Sequence, residues 1–445
     1  MNTSTGIDGL ESSSFVAPPG VPIAARTILA APVSVTGQSA TEGPTDEWSG
    51  RRPLKMLWVN HHADFVGGCE AYVHNTARLL AEHHVESTLM YEVSGRMSKS
   101  FTDPFSGAFP MVDLENQLAE LQPDIIYLHQ LEDSSALPTF AKNPIPVAKF
   151  FHDHRLFCLR EHKYTTLGHQ TCTKTTGLNC YTCMGFVERG GPLGVRLRTL
   201  GALEKEQELN RQLDAFIVGS HYMQDHVVAH GFEASDVHCV PLYAPAPPPK
   251  DHGPRDTNKL FFAGALVRGK GLDTLFQALA DSDSRLHVHI AGEGRQEQFF
   301  RDMARDLKID SRVHFLGKLN SVQVQQHLAT SLCVVFPSRS PETFGLIGLE
   351  AMTHGTPVVA SRVGGITEWL EHNVNGFLFE SGNVGQLASA LNDIVNDIPK
   401  AIEMGETGLQ MYSDRFTPEH HISILVEAIH TIVKTKGATN AVSME

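Results

Sequence analysis

Two carboxylates, two cations and a set of glycines carry the clearest chemical signal. In SRSPETFGLIGLEAMTHGTPVV, Glu342 and Glu350 stand eight residues apart, across a loop that runs into a helix expected to begin near Gly345. That spacing sets Glu342 over the helix start and Glu350 about one and a half turns inside it. Ionised carboxylates accept hydrogen bonds, and vicinal sugar hydroxyls donate them. Upstream, FFAGALVRGKGLDTLFQAL places Gly264, Gly269 and Gly271 around Arg268 and Lys270, just before a helix. Glycine lets a backbone approach a ligand closely, a helix start presents unsatisfied N–H groups, and Lys270 brings a point charge suited to phosphate. A second glycine turn, Gly292 and Gly294 in IAGEGR, follows the next expected strand. Neither turn has the spacing of a P-loop or of a dinucleotide fingerprint. Each feature alone also has a plain structural explanation: surface or helix-capping glutamates, and glycines that solve a steric problem of the fold.

The first half contributes three further groups. His152, in FFHDH, ends an apolar strand, a position suited to a cleft. Gly67 and Gly68, in HHADFVGGCEAYV, form a turn into a helix. Cys158, Cys172, Cys180 and Cys183 crowd together with spacing C-x13-C-x7-C-x2-C. Four thiolates make a tetrahedral zinc site, and cysteines also hold iron–sulfur centres; zinc is the first expectation here. His162 or His169 are alternative ligands, and reduced cysteines packed in an insert are the alternative to a metal. Thioredoxin-type redox chemistry is disfavoured, because the CxxC does not open a βαβ helix.

The elements that must position these residues follow from apolar runs. Strands are expected at 55–60, 87–91, 124–129, 147–151 and 215–218, then at 259–264, 286–290, 313–315, 332–336, 357–360 and 376–379. Helices are expected through 78–81 and at 272–280, 295–308, 321–329, 345–353 and 383–397. Short apolar strands separated by helices indicate α/β layers around mainly parallel sheets. At 445 residues the chain exceeds a single core of roughly 250–300 residues. The proline-rich segment PLYAPAPPPKDHGP disfavours helix and central strand, and divides it. The expected organisation is an extension over 1–52, rich in Ser, Thr, Gly, Pro and Ala, and a first α/β domain over 53–240 with the cysteine insert at 158–183. A linker over 241–257, a second α/β domain over 258–412, and a C-terminal helix and tail over 413–445 complete it, the helix being a candidate to cross back to the first domain.

A formal charge of −14 opposes a chain-wide nucleic-acid surface, while leaving room for a local basic pocket. No stretch approaches the roughly 18–20 continuous apolar residues of a membrane span, and the first residues lack a secretory pattern. Seven cysteines, four of them clustered, are no whole-chain disulfide framework. Cytoplasm is the expected compartment, with contact at a membrane surface left open.

The second half resembles the donor-nucleotide domain of retaining glycosyltransferases of GT-B architecture, family 4. Glu342, Phe344, Gly345 and Glu350 match its paired-glutamate pattern; Gly355, Thr356, Pro357 and Val358, then Gly364, Gly365 and Glu368, and Gly376 and Phe377, match the succeeding segments. The resemblance covers roughly residues 55–435 and implies two Rossmann-like domains facing a cleft. It implies that Glu350 holds the nucleotide ribose and Glu342 the transferred sugar, with the backbone of Phe344–Leu346 near sugar and diphosphate. Lys270 would neutralise diphosphate, Gly264 and Gly294 would border the nucleotide, Gly67 and Gly68 would close under the diphosphate, and His152 would lie near the reacting sugar. The family normally has Gly-Arg after the first donor-domain strand. This chain has Gly264-Ala265, and Arg268 is the expected substitute.

The implied reaction moves a sugar from a nucleotide diphosphate sugar to a hydroxyl of a glycan, lipid-linked or small-molecule acceptor, with retention and no organic cofactor. A GT-B epimerase or phosphorylase, and a catalytically weak sugar-nucleotide-binding protein, are the alternatives.

Overall fold

The computed structural model describes residues 52–442, apart from 166, 167, 169, 184–186, 190–194 and 248–251. Residues 1–51 of the expected extension, part of the expected linker, and His169 lie outside the described residues.

The strands in chain order are Leu54–Asn60 (β1), Val85–Glu92 (β2), Ala108–Met111 (β3), Ile125–Leu128 (β4), Val147–Phe150 (β5), Val187–Arg189 (β6), Val195–Leu197 (β7), Ala215–Val218 (β8) and Val237–Cys239 (β9). They continue with Asp256–Ala263 (β10), His287–Ala291 (β11), Val313–Gly317 (β12), Ser331–Phe336 (β13), Val358–Ser361 (β14) and Gly376–Phe379 (β15). Seven form one parallel sheet in the order β3-β2-β1-β4-β5-β8-β9, and six form a second in the order β12-β11-β10-β13-β14-β15. Among the described strands β6 and β7 pair antiparallel, in a separate hairpin. All residues of β4, β8, β13, β14 and β15 are buried. Parallel strands covered by helices on both faces need this continuous apolar character, which is why they stand out in the sequence.

Every strand expected from the apolar runs is present, with ends shifted by up to three residues. The helices at Leu272–Ala280, Glu297–Asp306, Ser321–Thr330, Leu346–Met352 and Val384–Asn396 also fall where expected. Strand β10 begins at Asp256, inside the stretch read as linker.

Both sheets reverse direction at one place. The chain lays strands outward from β1 to β3, then restarts on the other side of β1 with β4; it does the same at β10 and β13. The loops leaving such neighbouring strands open a crevice at their carboxyl ends, the usual ligand position in an open parallel sheet. In the second sheet those loops carry Arg268, Lys270 and Glu342. In the first they carry Gly67 and His129.

The helix Pro418–Val442 returns to the first sheet's side. His421, buried there, engages the Tyr72 hydroxyl through Nε2 at 3.1 Å and the Pro241 carbonyl through Nδ1 at 2.7 Å. Lys436 Nζ pairs with Asp214 at 2.5 Å. Among the described residues no helix is long and apolar enough to cross a membrane.

Candidate functional site

The loop after β13 holds Glu342, and the loop after β10 brings Lys270 to it. Lys270 Nζ donates to Glu342 Oε1 at 2.8 Å, and Ser338 Oγ donates to the same oxygen. Both side chains are partly exposed, 29% for Lys270 and 14% for Glu342, so a ligand can reach the pair. The Glu342 backbone is fixed from behind. Gly365 N donates to Glu342 O at 2.8 Å, and a side-chain carbon at Gly364, whose φ is +57°, would lie 2.1 Å from that carbonyl oxygen. Gly345, at φ +94°, turns the chain into the helix Leu346–Met352, and an added carbon there would press to 2.8 Å from the Phe336 ring. Only glycine holds that turn without strain. Phe344 is buried, and its carbonyl accepts from Trp369 Nε1 at 2.7 Å.

Glu350 projects from the same helix. It accepts from Gln325 Nε2 at 3.2 Å, and burial pushes its carboxyl up to about 7, the Gln325 contact opposing the shift. A carboxyl so placed is stabilised in its ionised form by further donors.

The first sheet supplies the opposite wall. His152 follows β5, and its carbonyl accepts from Thr343 Oγ1 at 3.2 Å, so the histidine segment abuts the glutamate loop directly. His152 Nε2 meets His129 Nδ1 at 2.8 Å; His129 stacks on Trp58, and Tyr72 lies edge-on to His152. Burial lowers the His152 pKa to about 3 and holds His129 well below its ordinary value, so both imidazoles are neutral. Cys69, His129 and His152 also bring their ligating atoms within 4.8 Å of one another. The hydrogen bond between the two imidazoles already accounts for their approach.

Two more joints lock the walls together. His154 Nε2 meets the Pro341 carbonyl at 3.1 Å, and Ser220 Oγ donates to the Thr343 carbonyl at 2.6 Å. Glu368 caps the start of the helix His221–Ala229 by accepting from Tyr222 N at 2.8 Å.

Residues 248–411 match the family model described as Glycosyl transferases group 1. That match falls almost entirely within the second domain. Among curated relatives, a D-inositol 3-phosphate glycosyltransferase of Corynebacterium aurimucosum is 33% identical over 165 residues, covering 35% of this chain and 39% of that protein. The uncharacterized glycosyltransferase YqgM of Bacillus subtilis is 31% identical over 215 residues, 47% of this chain and 58% of its own length. The chain thus spans less than two thirds of either relative's length. Among solved structures, Anabaena Alr3699/HepE in complex with UDP superposes with a TM-score of 0.63 at 20% identity, over 85% of this chain and 100% of that one. The lipopolysaccharide outer core galactosyltransferase WaaB, in apo form, gives 0.61 at 18% identity over 85% and 99%. The fold is GT-B.

Within this GT-B frame several expected residues take unexpected surroundings. Arg268 opens the turn Arg268–Lys270, with its guanidinium 4.4 Å from the centre of the Phe299 ring. Stacking occupies the face of a guanidinium, whereas phosphate is bound through its edge, so the two contacts are compatible. The glycine turns after β10 and β11 pack on each other. A carbon added at Gly292 would lie 2.0 Å from Gly264 O, and one at Gly294 would lie 2.5 Å from Leu266 O. Their close backbone approach is therefore to the neighbouring turn. Gly67 precedes the helix Gly68–Leu80, and its amide donates to Glu70 Oε2 at 2.9 Å.

The cysteine insert, distant in sequence from Glu342, lies against the loops after β10 and β13. Cys158, Cys172, Cys180 and Cys183 form no disulfide and line one cavity of about 310 Å³. His162, an alternative ligand by sequence, does not line that cavity; its ring packs 4.3 Å from Tyr164.

Sequence reasoning overlooked Ser338, Thr343, His154 and His129. His129 follows a strand end just as His152 does, so the strand-end rule would have found it. Thr343 and His154 act through contacts between distant segments, for which single residues carry no signal, whereas Ser338 reaches Glu342 four residues on in the same loop.

Proposed function

We propose that the protein is a retaining glycosyltransferase that moves a sugar from a nucleotide diphosphate sugar to an acceptor hydroxyl. The observation that carries this reading is the Lys270–Glu342 pair at the carboxyl ends of β10 and β13, facing His152 across the crevice. When donor enters, its diphosphate competes for Lys270, which leaves Glu342 to accept from sugar hydroxyls. Glu350 accepts from the ribose, and its burial makes those donors the groups that stabilise its charge. Arg268 adds a second positive charge at the diphosphate, where Ala265 offers none. Backbone around Phe344–Leu346 borders the sugar and diphosphate, and Gly67 and Gly68 approach from the opposite turn.

In the transfer the acceptor oxygen bonds to the anomeric carbon as the bond from that carbon to the phosphate oxygen breaks. The acceptor proton passes on the same face to the departing phosphate oxygen. Negative charge grows on the diphosphate, and fixed cations there lower the barrier without reorganising. A neutral His152 serves by hydrogen bonding to the sugar. Glycan, lipid-linked and small-molecule acceptors all fit a crevice formed by first-domain loops.

We also assign the four insert cysteines to a structural metal, zinc ahead of an iron–sulfur centre, on the ground that all four thiols line one cavity. The exposed position of Ala265 favours one second reading, a sugar-nucleotide-binding protein of weak activity.

The test is a panel of uridine, guanosine, adenosine and thymidine diphosphate sugars, UDP-sugars first, followed by mass spectrometry with mixed glycan, polyprenyl-phosphate and small-polyol acceptors. Transfer of one sugar with retained anomeric configuration is expected. Binding of a donor with no product in any arm would support the binding-protein reading, and binding of none would remove both.

A further inference from the structure

The insert between Cys158 and Cys183 has little apolar material of its own to hold it. Among its described residues the one regular α-helix is Asn179–Thr182, and Leu178 and Tyr181 are 79% and 48% exposed. Segments too small to build a core are usually stapled by disulfides or metal. Yet this segment makes specific contacts with the second domain. Tyr164 and Thr171 face each other in an antiparallel bridge, and Cys172 N donates to Lys163 O at 2.7 Å in the same hairpin.

Both bridge residues touch the loops that carry the donor cations. The Tyr164 ring fills the space at Gly269, where an added side-chain carbon would sit 2.7 Å from its Cε1. Gly269 lies between Arg268 and Lys270. Thr171 Oγ1 donates to the Arg339 carbonyl at 2.7 Å. The amides of Arg339 and Ser340 in turn donate to Gly269 O at 2.8 and 3.0 Å. Ser340 stands two residues before Glu342. The hairpin therefore grips, from one side, both loops whose meeting forms the Lys270–Glu342 pair.

The same hairpin meets the cysteines. Lys163, Tyr164, Thr171 and Cys172 all line the cavity that the four cysteines line. Lys163 is 2% exposed and donates from Nζ to Lys174 O at 2.6 Å. A buried ammonium suits a tetrathiolate centre, because four thiolates around a divalent ion retain net negative charge.

We propose that the metal-loaded cysteine insert is an interdomain clasp that sets the geometry of the donor loops through Tyr164 and Thr171. The proposal rests on the assignment of metal to the four cysteines, but not on any particular donor or acceptor. Metal fixes Cys172 and the hairpin; the hairpin fixes Gly269 and Arg339; these fix Lys270 relative to Glu342. Tyr164 and Thr171 are positioning residues that act through the loops.

The experiment uses the full chain purified without added metal, and needs neither substrate nor turnover. Metal per chain is counted by plasma mass spectrometry, with inorganic sulfide assayed alongside. Hydrogen–deuterium exchange is followed in peptides covering 264–272 and 337–345, with the strand peptide 286–291 as the internal reference. The wild type should carry about one zinc, or iron with sulfide, per chain. The double variant Cys180→Ser/Cys183→Ser should lose the metal. Tyr164→Ala should keep it. Both should exchange the amides of 337–345 about tenfold faster, with 286–291 unchanged. Metal-free wild type overturns the metal half of the proposal. Unchanged exchange at 337–345 in Tyr164→Ala overturns the clasp, even if the cysteine variant fails to fold. Unchanged exchange in a soluble, metal-free cysteine variant shows that the contact is independent of the metal, which also overturns the coupling. A failed transfer assay alongside a positive exchange result would implicate the enzymatic reading alone.

Discussion

The two walls of the crevice are built from opposite electrostatics. The second-domain wall exposes a fixed cation and a carboxylate, joined at 2.8 Å. The first-domain wall is a packed group of aromatic rings and imidazoles in which burial keeps His129 and His152 uncharged. The proposed ligand would divide the same way, its diphosphate bringing charge to one wall and its sugar only hydroxyls to the other. A cation opposite a phosphate gains much in a partly desolvated site, whereas an imidazolium facing an electron-poor anomeric carbon would oppose the reaction.

The largest expected effect comes from removing the charge. Lys270→Ala should lower turnover by about 100-fold or more and nucleotide diphosphate affinity by about tenfold. Glu342 is then left unpaired against the incoming phosphates. Combining Lys270→Ala with Glu342→Gln should therefore recover part of the affinity, but not the turnover. Titration calorimetry and steady-state rates separate these outcomes; equal affinity in the single and double variants would break the assigned competition for Lys270.

His152→Ala tests the uncharged wall. Turnover should fall roughly 10–100-fold while donor affinity stays within about threefold. Because the imidazole titrates near 3, the wild-type rate should show no limb from His152 between about pH 5 and 9. A rate limb in that range, lost in His152→Asn, would show that the ring acts as a charged acid instead.

Glu350 sharpens the contrast through pH. Its folded pKa, about 7, lies above that of an ordinary carboxyl. The protonated form is thus favoured in the unliganded protein, and that contribution to stability, fully present below the ordinary carboxyl range, is lost as pH rises through about 7. Ligand-free wild type should lose stability relative to Glu350→Gln between about pH 5 and 8, by on the order of 1–3 kcal/mol. Nucleotide-sugar affinity should move the other way, rising over the same interval in wild type and staying flat in Glu350→Gln. Parallel curves for the two proteins would remove the ribose assignment.

Arg268 is expected to have the smallest effect, because its guanidinium already rests on Phe299. Arg268→Ala should weaken nucleotide diphosphate binding by about three- to tenfold. Ala265→Arg in that background should restore part of it. Normal binding and rate in Arg268→Ala would mean that Lys270 and backbone donors suffice.

What the sequence disclosed depended on burial. Strands β4, β8 and β13 are covered on both faces and read as unbroken apolar runs. Strands β3 and β9 were not anticipated. Both are edge strands of three or four residues; β3, AFPM, has no buried position and contains a proline. The paired glutamates and the lysine turn were legible because a loop leaving a strand has few ways to place them. The pairing of Lys270 with Glu342 followed from the adjacency of β10 and β13, which the sequence does not state. The seat of Tyr164 on Gly269 was hidden for the same reason. A glycine kept clear for a ring from another segment looks, locally, like any turn glycine.

The return of the helix Pro418–Val442 has a consequence for biosynthesis. Tyr72 and Asp214 belong to the first sheet's layers, yet their partners His421 and Lys436 are translated after the whole second sheet. A nascent chain can assemble β1 to β9 on the ribosome but cannot bury the Tyr72 hydroxyl against His421 until residue 421 has emerged. The first domain's packing is therefore completed only after residues 421 and 436 have been made. Any chimaera that exchanges acceptor halves between relatives must carry this helix with the half it covers.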